Sequence, residues 1–320
     1  MRAQQFSELT GPDALHLVDA PEPDASAGVL IEIESAGVSF PDLLMSRGLY
    51  QTKPPLPFIP GVEVAGTVLS ATNDEFARGE HVMALTLVGG YAERVSASTA
   101  LTVRVPRGLS MQAAGGFLMN HHTAHFALAR RGRVRAGDVV LVHGAGGGLG
   151  SACVQVASGL GARVFGVVSS DAKAGVARAA GADEVIATTV DWAAAVRELT
   201  DGRGVDAVID PVGGDRFDQS VRCLAPEGRL VVVGFTEGRI PSVQANRILF
   251  RNVDIAGAAW GAFLAVEPQL FRQTQQALDV MIEGGALHPI VGATYPLERA
   301  ADALRLLESR EATGKVVLAG

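Results

Sequence analysis

Cysteine is scarce in this sequence. The 320 residues hold two, Cys153 and Cys223, too few for a disulfide framework or a four-thiolate zinc lobe. Both fall in apolar stretches and read as buried structural thiols. Clustered positive charge is also missing. Lys and Arg number 27 against 34 Asp and Glu, the formal net charge is −7, and the basic residues are scattered. A nucleic acid backbone demands clustered positive charge, so nucleic acid is not an expected partner. No apolar run of about 18 residues occurs, and the opening MRAQQFSELTGPD has no apolar signal core. The expectation is a soluble, cytoplasmic protein. Charged residues make up 19% and hydrophobic residues 48%, ample for a packed core.

Residues 1–110 read as β-rich. Short apolar runs such as Val29–Ser35, Val64–Leu69, His81–Leu85 and Leu101–Val105 are separated by Gly, Pro, Asn and Asp, the spacing of an all-β module with irregular loops. Ala-rich patterns over Met111–Met119 and Thr123–Ala129 predict helices, and the domain crossing is expected there. From Val139 onward strands and helices alternate. Six uniformly apolar strands with intervening helices predict a doubly wound parallel sheet covered on both faces, an α/β fold. The last strand is expected at Val253–Ala256, and the apolar run Ile248–Ile255 is read as having an outer-strand position. Phe263–Gly284 then reads as one long helix and Lys315–Leu318 as a closing strand. The expected division is 1–118 with 257–320 in one discontinuous domain and 119–256 in the other.

Val139–Gly150, VVLVHGAGGGLG, reads as strand, glycine-dense turn and helix start. Ala145, Gly147 and Gly150 hold the three places of a dinucleotide-binding turn, with Gly146, Gly148 and Leu149 between them. The second glycine lets backbone approach a pyrophosphate. The third lets the helix pack closely on the strand, and the helix N-terminus carries partial positive charge toward the phosphates. The second strand, Val164–Val168, ends in Ser169-Ser170, with Lys173 after it. An enzyme using NAD normally ends this strand in an acid that binds the ribose 2′-hydroxyl. Two hydroxyls and an ammonium suit a 2′-phosphate instead, which favours NADPH. Ser170-Asp171 also reads as a helix cap, and both roles are compatible.

Further motifs occur in a fixed order: Ala36–Tyr50 (AGVSFPDLLMSRGLY), Pro60–Gly66 (PGVEVAG), the glycine turn, Asp210–Gly214 (DPVGG), Gly228–Gly234 (GRLVVVG), Ala259–Gly261 and Gly314–Leu318 (GKVVL). On these the chain resembles the zinc-independent medium-chain dehydrogenases/reductases, and within them the zeta-crystallin-like NADPH:quinone oxidoreductases, over nearly its full length. The resemblance implies a GroES-like β-rich catalytic domain, a Rossmann NADPH-binding domain, a cleft between them, and a homodimer joined through the outer Rossmann strand.

It also implies site residues. Ser39 stands where family members commonly carry an Asn near the nicotinamide, and Leu44 where some carry a Tyr. Thr123 would touch the nicotinamide amide beside Asn120, which equally suits a helix cap. Gly234, Phe235 and Thr236 end the fifth strand, where ligand sits on such a sheet. Lys315 of the closing motif joins the implied cofactor contacts. Alcohol dehydrogenases of the superfamily place a Cys near Ser39 and a His at Val62. Both are absent here, so no catalytic zinc is expected. His121, His122 and His125 form the densest His group, and packing is preferred over metal binding. Asp210 serves either the cofactor or its own turn.

Tyr50 reads two ways. Its phenol, which ordinarily titrates near 10, suits donation to a reduced acceptor, or the ring packs a loop. Arg47 is a second candidate donor. Glu63, flanked by apolar residues, reads as buried and paired. Trp260 is expected to cover part of the cleft, although core packing or a dimer contact fits it equally. The expected activity is hydride transfer from NADPH to a quinone. The alternatives are reduction of an activated C=C bond (enal, enone or enoyl thioester), or an NADPH-binding sensor with little turnover.

Overall fold

The computed structural model describes residues 1–319; Gly320 lies outside them. The chain forms two compact units, Met1–Met119 with Val291–Gly320, and Asn120–Ile290.

The first unit is β-rich. Its main sheet runs Val291–Tyr295, Lys315–Ala319, Val29–Val38, Glu63–Ala71, His81–Leu85 and Thr102–Arg104, and Arg94–Ala97 also pairs with Val29–Val38. The central strand Val29–Val38 changes character along its length. Val29 and Ile31 are buried while Glu32 and Glu34 are exposed, the period-2 signature of a half-buried strand. Ser35 to Val38 are all buried. There the strand pairs antiparallel with Lys315–Ala319 on one side (Val316 opposite Val38) and Glu63–Ala71 on the other (Ala36 opposite Val64). Phe6, Ile31, Val64, Val82, Tyr91 and Leu304 anchor the core of this unit.

The second unit holds six parallel strands ordered Glu184–Ala187, Arg163–Val168, Val139–His143, Val205–Asp210, Leu224–Val232 and Asp254–Gly257. In chain order this is 3-2-1-4-5-6, a doubly wound sheet whose order reverses between Val139–His143 and Val205–Asp210. Leu141, Phe165, Val208 and Leu230 are wholly buried between the helix layers, as an all-parallel sheet requires. The helix Gly148–Gly159 buries every residue from Gly150 to Ala157. Among the described residues no helix is long and apolar enough to cross a membrane.

Four sequence expectations differ from what is found. The second unit extends to Ile290, not to residue 256. The tail is held there by side chains: Gln275 Oε1 lies 2.8 Å from His122 Nε2, Arg130 grips Glu267 with bonds of 3.0 and 2.7 Å, and Gln155 exchanges two bonds with the backbone of His288. The helix expected over 263–284 is two helices, Trp260–Leu264 and Leu270–Glu283. Pro268 between them has no N–H to continue a helical ladder. The apolar run 248–255 is only in part strand: Ala245–Arg251 is helical, while the last strand expected at Val253–Ala256 is found at Asp254–Gly257. The segment 111–131 is a short helix, Met111–Gly115, followed by wide π-type turns at Leu118–His122 and Phe126–Arg131.

Candidate active site

In the first unit three strands bring Ser39, Glu63 and Lys315 to one end of the sheet. Ser39 follows Val29–Val38, Glu63 opens Glu63–Ala71, and Lys315 opens Lys315–Ala319. The antiparallel registers place them side by side. The Lys315 ammonium donates to Glu63 Oε1 at 2.6 Å and to Ser39 Oγ at 2.7 Å. Ser39 Oγ donates to the same Glu63 oxygen at 3.2 Å. The backbone N–H of Met119 donates to Glu63 Oε2 at 2.8 Å. The Lys315 and Glu63 side chains are only 7% and 1% exposed. Two glycines make this fit possible. A Cβ on Gly37 would lie 2.7 Å from Glu63 Cγ, and one on Gly116 would lie 2.5 Å from Lys315 Cγ. Both side chains lie across backbone that any larger residue would close.

Beside this triad lies Asp42, fully buried in the helix Phe40–Ser46. Its carboxylate accepts from the Ser39 N–H at 2.9 Å, the Gly61 N–H at 3.1 Å and the Tyr91 hydroxyl at 3.1 Å. Burial pushes its pKa up to about 7, opposed by the Ser39 amide, the Lys315 charge, the Gly61 amide and the Tyr91 hydroxyl. Burial, helped by the Asp42 and Glu63 charges and the bond to Asp42, holds the Tyr91 phenol well above its ordinary value.

Tyr50 is partly buried against the core of the first unit. Its phenol is raised by burial and then by the Asp42 charge, and it makes no hydrogen bond to Ser39, Glu63 or Lys315 among the described residues. Arg47 pairs with Glu308. Glu63 is buried and paired, whereas Lys315, expected among the cofactor contacts, directs its ammonium to Glu63 and Ser39.

In the second unit the glycine turn follows the first strand. Gly144 adopts φ +63°, a left-handed conformation that glycine takes freely. A Cβ on Gly150 would run into the carbonyl of Gly144, so only glycine allows this helix start. Gly147 is the N-cap of Gly148–Gly159, with no side chain capping it and no charge in the first turn. The N–H groups of Gly148, Leu149 and Gly150 therefore have no intrahelical acceptor and suit an anion. A Cβ on Gly147 would meet nothing closer than 3.5 Å, whereas one on Gly146 would lie 2.5 Å from Lys173 Cβ. Gly146 thus packs the turn directly on Lys173. The Lys173 ammonium donates to Ser169 Oγ at 3.3 Å, and Ser170 caps the next helix by accepting from Lys173 N at 3.4 Å. Gly146 thereby sets the turn against the residue that bonds Ser169, and the donors of both fit a dinucleotide phosphate.

The other expected residues divide. Asp210 Oδ1 accepts from Val212 N and Gly213 N, both at 2.9 Å, so that oxygen shapes its own turn. Gly234, Phe235 and Thr236 follow the fifth strand, and Thr236 N donates to Pro211 O at 3.1 Å. Asn120 is buried and Thr123 half-buried in the π-type segment. Trp260 is 2% exposed and sits 5.1 Å from the His122 ring, an interior residue of the second unit. His122 also stacks on Phe271 at 4.9 Å, and burial lowers its pKa to about 3. Burial raises Cys153 to about 12 and Cys223 to about 11, which makes them inert thiols.

The fold and these two sites define a two-unit dehydrogenase/reductase. Residues 25–116 match the alcohol dehydrogenase GroES-like domain and residues 148–283 the zinc-binding dehydrogenase model. Mouse (Mus musculus) quinone oxidoreductase-like protein 2 is 36% identical over 321 residues, covering 99% of this chain and 91% of that one. A probable oxidoreductase from Mycobacterium abscessus superposes with a TM-score of 0.92 at 41% identity, covering 100% and 99% of the two chains. The quinone oxidoreductase of Thermus thermophilus, solved alone and with NADPH, gives 0.87 at 36% identity over 100% of both chains. The chain belongs to the quinone oxidoreductase family of medium-chain dehydrogenases/reductases.

One family description invokes zinc, and the donor set here does not suit it. Zinc takes N, S or O ligands in tetrahedral array. Among the described residues no group of three His, Cys, Asp or Glu side chains is arranged so that it could hold a metal ion. Beside Ser39, the Glu63 carboxylate already faces a cation, the Lys315 ammonium.

Sequence reasoning missed Asp42 and the Lys315 partnership. The spacing Ser39-x-x-Asp42 is a capping-box signal for the first. For the second, a carboxylate in an apolar strand start and a lysine in another both call for a partner.

Proposed function

We propose that this chain is an NADPH-dependent, zinc-independent oxidoreductase that transfers a hydride to a quinone. The observation that carries the cofactor reading is the Lys173 ammonium, 3.3 Å from Ser169 Oγ, on a residue whose backbone and Cβ pack against Gly146 of the glycine turn. In this reading the N–H groups of Gly148 to Gly150 hold the pyrophosphate. Ser169 and Lys173 hold the 2′-phosphate, with Gly234, Phe235 and Thr236 nearer the nicotinamide. Asn120 and Thr123 contribute from the π-type segment. When bound, the reduced nicotinamide supplies the hydride. Ser39 supplies a hydrogen bond to the acceptor oxygen that gains charge, and that stabilisation is worth most in a water-poor site. The quinone reading rests on the mouse and Thermus relatives.

A second reading, reduction of an activated C=C bond, draws support from the ammonium behind Ser39. An enolate is more basic than a hydroquinone anion and gains more from a backed proton donor. We also propose a cytoplasmic homodimer formed through the edge strand Asp254–Gly257. Its neighbouring helix Ala245–Arg251 exposes Leu249 and Phe250 by 68% and 79%, apolar surface of the kind a partner covers. Light scattering showing a monomer at all concentrations overturns the dimer.

The test of the activity is NADPH oxidation against a panel of simple quinones, alkenals, enones and enoyl thioesters. Turnover with quinones supports the first reading, and turnover only with the conjugated carbonyls supports the second. Tight NADPH binding without turnover on any of them overturns both.

A further inference from the structure

Lys315 raises a question that the reductase reading leaves open. A buried ion pair is weak evidence for stability, because desolvating two charges offsets most of their attraction. This pair nevertheless occupies the interior of the first unit, and Gly37 and Gly116 leave room for it. Ser39 is the N-cap of Phe40–Ser46 and shares a capping box with Asp42. Its hydroxyl oxygen receives a 2.7 Å bond from Lys315, while its own hydrogen reaches Glu63 only at 3.2 Å. An O–H···O bond is ordinarily about 2.7–2.8 Å. The oxygen is therefore tightly tied and the hydrogen loosely held. Lysine is also rare here: three of the 27 basic residues are Lys (Lys53, Lys173, Lys315) and the rest are Arg. Arginine stays protonated, whereas a lysine can release a proton.

We propose that Lys315 is a positioning residue that aims Ser39 Oγ–H at the reduced acceptor and replaces its proton. This rests on the reductase reading above. The acceptor takes the hydride, one hydrogen with two electrons, and its oxygen becomes anionic while NADPH becomes NADP⁺. The Ser39 O–H bond breaks, and its proton neutralises that oxygen. One Lys315 N–H bond breaks, and its proton restores the Ser39 hydroxyl. Lys315 is left as the neutral amine beside Glu63 and regains a proton from water before the next turnover. The charged or titratable groups facing this relay are Glu63, Asp42 and Tyr91, and Tyr50 senses it through Asp42.

The test uses a series of quinones and enones graded by the basicity of their reduced anions. Two variants are compared with the parent: Ser39→Ala, and the paired Glu63→Gln/Lys315→Met, which removes both charges together so that neither is stranded. Both are expected to lose about 100-fold in kcat on the most basic acceptors and less than about 3-fold on the least basic, as general acid catalysis requires. NADPH affinity, read by fluorescence titration without acceptor, is expected to stay within about twofold of the parent in both. A third readout needs no turnover. With ¹⁵N-labelled lysine the chain gives three ammonium signals, and Ser39→Ala is expected to shift that of Lys315 alone. An equal loss on every acceptor overturns the proposal and leaves the reductase reading intact. So does weakened NADPH binding with unchanged kcat, or a Lys315 signal indifferent to Ser39→Ala. A parent protein inert toward every acceptor overturns both.

Discussion

The two units build their sites by opposite means. The second unit uses backbone: Gly144 to Gly150 are consecutive, and their shape follows from glycine's lack of a Cβ. The first unit uses side chains from residues 39, 63 and 315, the last 276 positions from the first. Each unit also carries a lysine bonded to a serine. Lys173 lies half-buried in the first turn of the helix Asp171–Ala179, bonded to Ser169. Lys315 is sealed in the interior against Glu63. The comparison teaches that a backbone site tolerates change in the surrounding side chains and fails abruptly when a glycine is lost. A buried side-chain site depends on every partner at once.

The largest effect that sharpens this contrast is Lys315→Met. It strands Glu63 as an unpaired buried charge and is expected to destabilise the first unit by about 3–5 kcal/mol. Thermal unfolding checks this, and Glu63→Gln added to it is expected to recover most of the loss. Next is Gly150→Val, whose side chain runs into the Gly144 carbonyl. Overpacking of up to about 3 kcal/mol converts to about a 100-fold loss of NADPH affinity, measured by fluorescence titration. Retained affinity would break the claim that this turn is a backbone cradle. Lys173→Ala removes one charge-assisted contact. KM for NADPH is expected to rise about 10–100-fold and KM for NADH to change little; an equal rise in both would remove the 2′-phosphate role.

The units are also expected to respond to pH in opposite directions. In the first, Asp42 is raised from 3.8 to about 7 by burial. The folded chain binds a proton there that the unfolded chain has lost, so this contribution to stability falls as pH rises from about 4 to about 7. In the second, burial lowers His143 from 6.5 to about 4 and His122 to about 3. Below about pH 6.5 the unfolded chain takes up protons that the folded chain does not, so stability is lost as pH falls. Unfolding curves across pH are expected to show the advantage of the parent over Asp42→Asn narrowing upward through the first window. Its advantage over His143→Gln is expected to narrow downward through the second. The smallest expected effect is Tyr50→Phe. With no hydrogen bond from its phenol to the Ser39 triad, kcat is expected to stay within about twofold; a tenfold fall would return proton supply to Tyr50.

Much of the second unit is legible from sequence because its information is local. The alternation of apolar strands with helices, the glycine turn and Ser169-Ser170 with Lys173 all lie within short windows. The misreadings there came from competing local rules. The apolar residues of 248–251 look like strand but form a helix that leaves Leu249 and Phe250 exposed. Pro268 splits what periodicity joins. The division near residue 257 was misplaced because Gln155, Arg130 and His122 hold the tail through partners more than 130 positions away. No window of sequence carries such contacts.

By itself the sequence determined the fold class, the strand, glycine turn and helix of residues 139–159, and the placing of Lys173 just after Ser169-Ser170. Each follows from residue chemistry acting over a few neighbours: glycine's missing Cβ, proline's missing N–H, and the period of burial. Only the tertiary structure decided that Lys315 faces Glu63 and Ser39 and that Trp260 lies within the second unit. It also decided that Asp42 gathers Ser39, Gly61 and Tyr91. The physical reason is strand register. Antiparallel pairing sets residues 39, 63 and 315 side by side whatever their distance along the chain, and burial then obliges their charges to find one another.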